Sequence, residues 1–247
     1  MENASELRGV VIALGVSESG EKHVLGFYQA STENSASCLA LLHDLEKRGM
    51  PHSGILFVVD GGSGLNKALN DKYSVHDPEK RTAVRARCYV HKWANLEDAL
   101  GKDNSALKEA KDHFWNMRKA EDLPEAAAHA VALESVLRRA NLSALASFQE
   151  AKADLLIVHD LRLSALLTRS LSTTNVIESL NSGLEEDTRR VKRWHNSEHF
   201  QRWVATAALQ HEKRMYRIRG RVGLKALKIR LQSLCSLSAL DQQGLAA

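Results

Sequence analysis

The run Ile55-Leu56-Phe57-Val58-Val59 is continuously apolar and stops at Asp60-Gly61-Gly62-Ser63-Gly64. Unbroken apolar character suits a central strand covered on both faces, whereas a half-exposed strand would alternate. The chain must then supply helices to both faces of a sheet, and Asp60 falls at a strand end, facing a crevice. Two blander readings compete. The glycines could form a phosphate-cradling turn, but their spacing fits neither the dinucleotide fingerprint nor a P-loop, which needs a Lys-Ser/Thr pair. Asp60 could also simply cap the next helix.

The flanking sequence agrees with an α/β arrangement. Gly9 to Val16 is β-branched and apolar, Ser17-Glu18-Ser19-Gly20 is a turn, and His23 to Tyr28 reads as the second strand of a hairpin. Thr32-Glu33-Asn34 offers cap residues for a helix through Leu39, Leu42 and Leu45 that ends at Arg48-Gly49. Ala83 to His91 alternates like a further strand. Its Cys88-x-x-His91 pair invites a zinc assignment, but structural zinc takes four ligands and this pair supplies two, so none is expected.

From Trp93 to about Leu167 helical stripes replace strand signals: Leu107, Ala110, Phe114 and Met117 form one, and Ala126, Ala130, Leu133 and Leu137 another, with Pro124 in the first turn after Asp122. Ser197 is placed to cap a helix carrying Phe200, Trp203 and Val204 that runs to a cationic end before Gly220. Leu224, Leu227, Leu231 and Leu234 mark a last amphipathic helix.

Overall charge matters less than its distribution. The net charge is +4, yet Thr188 to Arg230 holds thirteen Lys or Arg against two Glu. Cys38, Cys88 and Cys235 are odd in number and far apart, which fits a reducing cytosolic setting, and no apolar run is long enough to cross a bilayer.

The stretch most suited to chemistry is Thr173-Thr174-Asn175-Val176-Ile177-Glu178-Ser179-Leu180-Asn181, continuing to Thr188-Arg189-Arg190-Val191-Lys192-Arg193-Trp194. As a helix from Val176 it places Ile177, Leu180 and Leu184 on an apolar face and Glu178, Asn181 and Glu185 on a polar one. A rigidly held acid is thus followed by Arg189, Arg190, Lys192 and Arg193, cations suited to DNA phosphates. The bland alternative is a capping box in which Asn175 caps the helix and Glu178 reaches back to it.

With these residues in view, the chain resembles the Mutator-type transposases of bacterial insertion sequences. The resemblance rests on Val11-Ile12-Ala13-Leu14-Gly15 with Gly20 to Phe27, on Thr32-Glu33-Asn34 through Asp44-Leu45-x-x-Arg48-Gly49, on Val58-Val59-Asp60-Gly61 with Arg87-Cys88-x-Val90-His91-Lys92, and on Thr173-Thr174-Asn175-x-Ile177-Glu178-Ser179 with Arg189 to Trp194 and Arg202-Trp203-Val204. It implies a mixed α/β, ribonuclease H-like sheet in residues 1–92, an all-helical insertion in 93–170, and in 171–247 a core helix bearing the final Glu followed by basic helices. It further implies that Asp60 and Glu178 are catalytic acids holding Mg²⁺ or Mn²⁺, and that Cys88, His91, Asn175 and Asn181 belong to the family signature. The implied chemistry is metal-dependent DNA strand cleavage and transfer, by a cytoplasmic, nucleoid-associated protein that acts as a homo-oligomer or as a subunit of a full-length transposase.

One departure accompanies the resemblance. The family's first acid is an aspartate on a strand ahead of the segment matching Ala13, and here only Glu2 and Glu6 stand that early, neither in a family motif. The expectation is therefore an N-terminally truncated catalytic portion that is incomplete as an enzyme. The competing readings are a non-catalytic DNA-binding or subunit-interaction remnant of a transposase, and another ribonuclease H-like nuclease such as a junction resolvase.

Overall fold

The computed structural model describes residues 9–30, 34–189, 191 and 194–244. Strands β1 (Gly9–Val16) and β2 (Lys22–Ala30) form the expected hairpin, antiparallel, with a bulge between Ala13 and Leu14. After helix α1 (Ser35–Lys47) come β3 (Ile55–Val59), α2 (Ser63–Tyr73) and β4 (Ala83–Arg87). β3 and β4 pair in parallel, from Ile55↔Ala83 to Val59↔Arg87. Among the described residues the four strands make two separate two-stranded sheets.

β4 is shorter than the alternation suggested. Every residue of it is buried, and the chain turns at Cys88 into helix α3 (Tyr89–Leu100), so Cys88-x-x-His91 opens a helix instead of closing a strand. The alternating polar positions are Arg85 and Arg87, which point not to water but into ion pairs with a covering helix.

The helical block follows as α4 (Leu107–Lys119), α5 (Leu123–Ala140), α6 (Leu142–Asp160) and α7 (Ala165–Leu171). Both expected stripes face the core, Leu107 partly buried and the rest buried around Phe114, Met117, Leu133 and Leu137, and Asp122 caps α5 by accepting from Glu125 N, with proline in the first turn. This core is continuous with Ala86 of β4, so the block is packed onto the sheet.

Helices α8 (Asn175–Arg189), α9 (Ser197–Glu212) and α10 (Leu224–Gly244) complete the order. Asn196 caps α9, accepting from His199 N, a residue earlier than the expected Ser197. α9 ends at Glu212, before the cationic stretch. Leu180 and Leu184 of α8 pack with Val204, Ala207 and Ala208 of α9 against Val10, Ile12 and Leu14 of the hairpin, while Ile177 is half-buried. Gly183 lets the two helices approach: a Cβ there would lie 2.4 Å from the His211 ring. α10 buries Leu224, Leu227 and Leu231 with Val84 and Leu167. Cys38, Cys88 and Cys235 are buried and carry no disulfide, and no described helix is long and apolar enough to cross a membrane.

Candidate active site

At the carboxyl end of β3, Asp60 begins a tight turn in which its Oδ1 accepts from Gly62 N at 3.0 Å. Gly62 takes the capping position of α2, so Asp60 shapes the turn and does not itself cap the helix. Gly61 has φ +106°, open to glycine at low cost. Its carbonyl accepts from Asn66 Nδ2 at 3.0 Å and from Arg87 at 3.3 Å. The Arg87 guanidinium lies so close that a Cβ on Gly61 would stand 2.0 Å from it. Gly61→Ala is therefore expected to destabilise the protein by about 2–3 kcal/mol or more, from backbone strain and overlap with a buried cation together. A urea midpoint matching the parent would contradict this account of the turn.

The adjacent end of β4 is tied to the same place. Cys88 N donates to Val59 O at 2.8 Å, and Tyr89 N donates to Ser172 O at 2.9 Å. The second bond draws in the link between α7 and α8, and Arg118 Nε, donating to Ser172 Oγ at 2.9 Å, fixes it further. Thr174 thus arrives next to the first turn of α3. Its Oγ1 lies 3.2 Å from His91 Nδ1, which is 3.3 Å from Cys88 Sγ.

α8 starts at Asn175, one residue earlier than expected, and its first-turn geometry differs from the capping box. Glu178 N donates to Thr174 O at 3.1 Å, and the Thr174 hydroxyl donates to Glu178 Oε1 at 2.8 Å. The carboxylate is thereby held towards His91, whose Nδ1 is 3.7 Å away. Thr174 has a single hydroxyl proton, and giving it to Glu178 leaves Oγ1 to accept from His91, which assigns Nδ1–H to that ring. Cys88, His91 and Glu178 present ligand-type atoms all within 4.8 Å of one another. Asp60 stands outside that trio, at the neighbouring strand end. Asn175 is exposed, and Asn181 is half-buried one turn beyond Glu178.

Buried positive charge lies behind the site. The side chains of Arg87 and Lys92 are 4% and 3% exposed, and both pair with Glu150 of α6, at 3.1 and 3.2 Å. Burial pushes the Lys92 ammonium below the ordinary lysine range against the pull of Glu150. Glu150 lies below the usual carboxylate range because Arg87 and Lys92 outweigh its own partial burial. A carboxyl depressed by folding contributes stability that is present above its unfolded pKa of about 4.3 and is lost as pH falls through the lower folded value. Glu150→Gln is expected to cost about 1–2 kcal/mol near neutrality, discounted for its half-exposed side chain, and to weaken the acid dependence. Parallel urea titrations at neutral and acid pH measure both, and an undiminished acid dependence in the variant would rule Glu150 out as a source.

Of the cations set aside for phosphate contact, Arg189 is exposed at the end of α8, while Arg190, Lys192 and Arg193 lie outside the described residues, as do Glu2, Glu6, Thr32 and Glu33. Trp194 packs edge-on against Phe200 and Trp203, its ring centroid 5.1 Å from that of Phe200, which fits a packing role better than base stacking. Ser172 and Glu150 stand in none of the matched blocks, and Thr174, Arg87 and Lys92 stand in them without an assigned role. Two arginines within an otherwise apolar strand were the available hint.

The model of the family described as "Transposase, Mutator family" matches residues 1–216. The transposase for insertion sequence element IST2 of Acidithiobacillus ferrooxidans is 30% identical over 190 residues, 74% of this chain and 58% of that protein. The transposase for insertion sequence element IS905 of Lactococcus lactis subsp. lactis is 28% identical over 197 residues, 79% of this chain and 46% of that protein. The chain spans about half the length of the curated relatives it matches.

Proposed function

Since this chain belongs to the Mutator family of transposases, we propose that it supplies the part of an insertion-sequence transposase that cuts and joins DNA strands, acting in the cytoplasm at the nucleoid. The observation that carries the reading is that Thr174 holds Glu178 beside His91, in the first turn after β4, whose end is hydrogen-bonded through Cys88 N to Val59, the residue before Asp60. Asp60 and Glu178 are partly exposed carboxylates, the hard oxygen donors that Mg²⁺ or Mn²⁺ takes. Bound there, such an ion would supply Lewis-acid activation at a phosphodiester. Thr174 and His91 orient the Glu178 carboxylate, and the turn at Gly61, braced by Arg87, sets the position of Asp60. On this reading the sheet is the ribonuclease H-like core and α3 to α7 include its insertion.

Iron-mediated backbone cleavage tests the site without any DNA reaction. With Fe²⁺ and ascorbate, the chain is expected to be cut near both Asp60 and Glu178, and Asp60→Asn or Glu178→Gln should each suppress both sets of cuts. Cuts near one position only, or cuts that survive both substitutions, would separate the two acids and defeat the reading.

DNA itself is the expected partner of the cations after α8. Neutralising Arg189, Arg190, Lys192 and Arg193 together should weaken binding and reduce the slope of log affinity against log salt by roughly 0.9 for each phosphate that no longer meets a cation. An unchanged slope in an anisotropy titration would assign phosphate binding to other residues.

A further inference from the structure

Three ligand-type atoms from two helix starts face one another where β4, α3 and α8 meet. Cys88 takes the position before α3, where its side chain makes no capping bond, and His91 stands three residues on, in the first turn. Those two positions are neighbours at a helix start, as the partners of a capping box are. Accordingly His91 Nδ1 lies 3.3 Å from Cys88 Sγ. Glu178, in the first turn of α8, brings its Oε1 to 3.7 Å from the same nitrogen. The sulfur, the nitrogen and a carboxylate oxygen all lie within 4.8 Å of one another.

Ligands on one tetrahedral cation stand at fixed separations. With Zn–S about 2.3 Å and Zn–N and Zn–O about 2.0–2.2 Å, neighbouring ligand atoms are roughly 3.3–3.6 Å apart. The two separations from His91 fall at the ends of that range, and closing on an ion requires only that the carboxylate approach the sulfur. The donors are also held in place. Cys88 N donates to Val59 O at 2.8 Å, Tyr89 N to Ser172 O at 2.9 Å, and the Thr174 hydroxyl to Glu178 Oε1 at 2.8 Å.

The donor set selects the ion. A thiolate with an imidazole suits Zn²⁺ and other thiophilic cations, whereas Mg²⁺ and Mn²⁺ prefer oxygen. Cys88 is fully buried, while the His91 and Glu178 side chains are 40% and 44% exposed, so an ion here meets solvent on the side away from the sulfur. Three protein ligands with one position for water make an open site, unlike the four-ligand structural zinc that the Cys88 and His91 pair does not complete.

We propose that Cys88, His91 and Glu178 form a binding site for one thiophilic divalent cation of the Zn²⁺ class. Binding sends the thiol proton to solvent and leaves the Cys88 thiolate on the ion. His91 coordinates through Nδ1, so its ring proton moves to Nε2 and the net release is one proton. Thr174 loses His91 as a donor and continues to hold Glu178. The site does not depend on the catalytic reading, because Asp60 is not among its ligands.

The test uses the whole chain without DNA, with Co²⁺ as a spectroscopic stand-in for Zn²⁺. Saturable binding of one ion per chain is expected, with the visible bands of a tetrahedral ion and a near-ultraviolet thiolate-to-cobalt charge-transfer band, all lost when Zn²⁺ is added. Cys88→Ser should remove the charge-transfer band. His91→Ala and Glu178→Gln should each weaken binding by at least about 100-fold, beyond the usual cost of losing an outer-shell partner. Asp60→Asn should leave the band and the affinity unchanged. Should Cys88→Ser fail to fold, X-ray absorption at the zinc edge of the unmodified chain decides, through one sulfur at about 2.3 Å beside imidazole scattering. A charge-transfer band that is absent from the unmodified chain, that survives Cys88→Ser or that is lost in Asp60→Asn would overturn the proposal, as would an affinity indifferent to His91→Ala and Glu178→Gln. A cobalt band that persists while iron cuts near Asp60 are missing would support this site and defeat the catalytic reading alone.

Discussion

Replacing Asp154 by alanine is expected to lower the stability of the protein by about 3–5 kcal/mol, because it strands a buried cation. Asp154 lies on α6, and its Oδ2 accepts from Arg85 at 2.8 Å through Nε and at 2.6 Å through the terminal nitrogen. The Arg85 side chain is 1% exposed, in the middle of a fully buried strand. The remaining neighbour with a ring nitrogen in reach is His76, 3.1 Å from the same guanidinium, which cannot replace a carboxylate. Removing Asp154 thus leaves Arg85 without a counter-charge. Loss of the pair as a whole should be far milder, because an apolar pair of similar volume has no desolvation penalty to offset. The double variant Arg85→Met/Asp154→Leu should therefore recover most of the lost stability. Urea unfolding of the parent, the single and the double variants measures this, and a loss below about 1 kcal/mol for Asp154→Ala would show that water reaches Arg85.

The same pair helps tie the helical block to β4. Arg85 and Arg87 leave β4 for α6, to Asp154 and Glu150, and Tyr89 Oη donates to Leu155 O at 3.0 Å. α6 is thereby bolted to the strand whose end carries Cys88 and His91. What lies beyond the block, including Glu178, is consequently delivered to a fixed place.

Much of this was legible in the sequence because it depends on local rules. The apolar run at Ile55–Val59, the hairpin, the Asp122–Pro124 helix start and the Leu180/Leu184 face follow from periodicity and cap chemistry, and all four are present. Errors arose where tertiary contacts override a pattern. Alternation at Ala83–His91 suggested a half-exposed strand, but its polar members are arginines held by a distant helix, and the strand stops at Arg87. The capping box offered as the bland alternative for Asn175 and Glu178 also gives way to a contact outside the pattern, since the hydroxyl of Thr174, before the helix, turns the carboxylate towards His91. His91 could not be placed beside Glu178 from spacing, since the bond from Tyr89 N to Ser172 O that ties α3 to the segment before α8 is a backbone contact without a side-chain signature.

Glu178→Gln is expected to reduce Mn²⁺ affinity at least 100-fold, and Thr174→Val to reduce it about 10–100-fold although Thr174 need not touch the ion. The two effects share one cause. A carboxylate on a partly exposed side chain samples several rotamers, and the 2.8 Å bond from Thr174 selects the one that faces His91. Valine keeps the shape and burial of Thr174 but removes the donor, so Glu178 is freed while the α8 cap remains supported by the backbone bond from Glu178 N to Thr174 O. His91→Ala should show a smaller loss, since it removes the group that Thr174 Oγ1 serves as acceptor and leaves the Thr174 to Glu178 bond in place. Cys88→Ser should change Mn²⁺ affinity little, because Mn²⁺ prefers oxygen ligands to a thiolate. Electron paramagnetic resonance titration of free Mn²⁺ gives the four affinities, and thermal unfolding of each variant checks that the fold persists. If Thr174→Val binds Mn²⁺ like the parent while Glu178→Gln does not, Glu178 is a ligand but Thr174 does not position it. If neither substitution matters, the carboxylate end of this sheet is not where the ion is held.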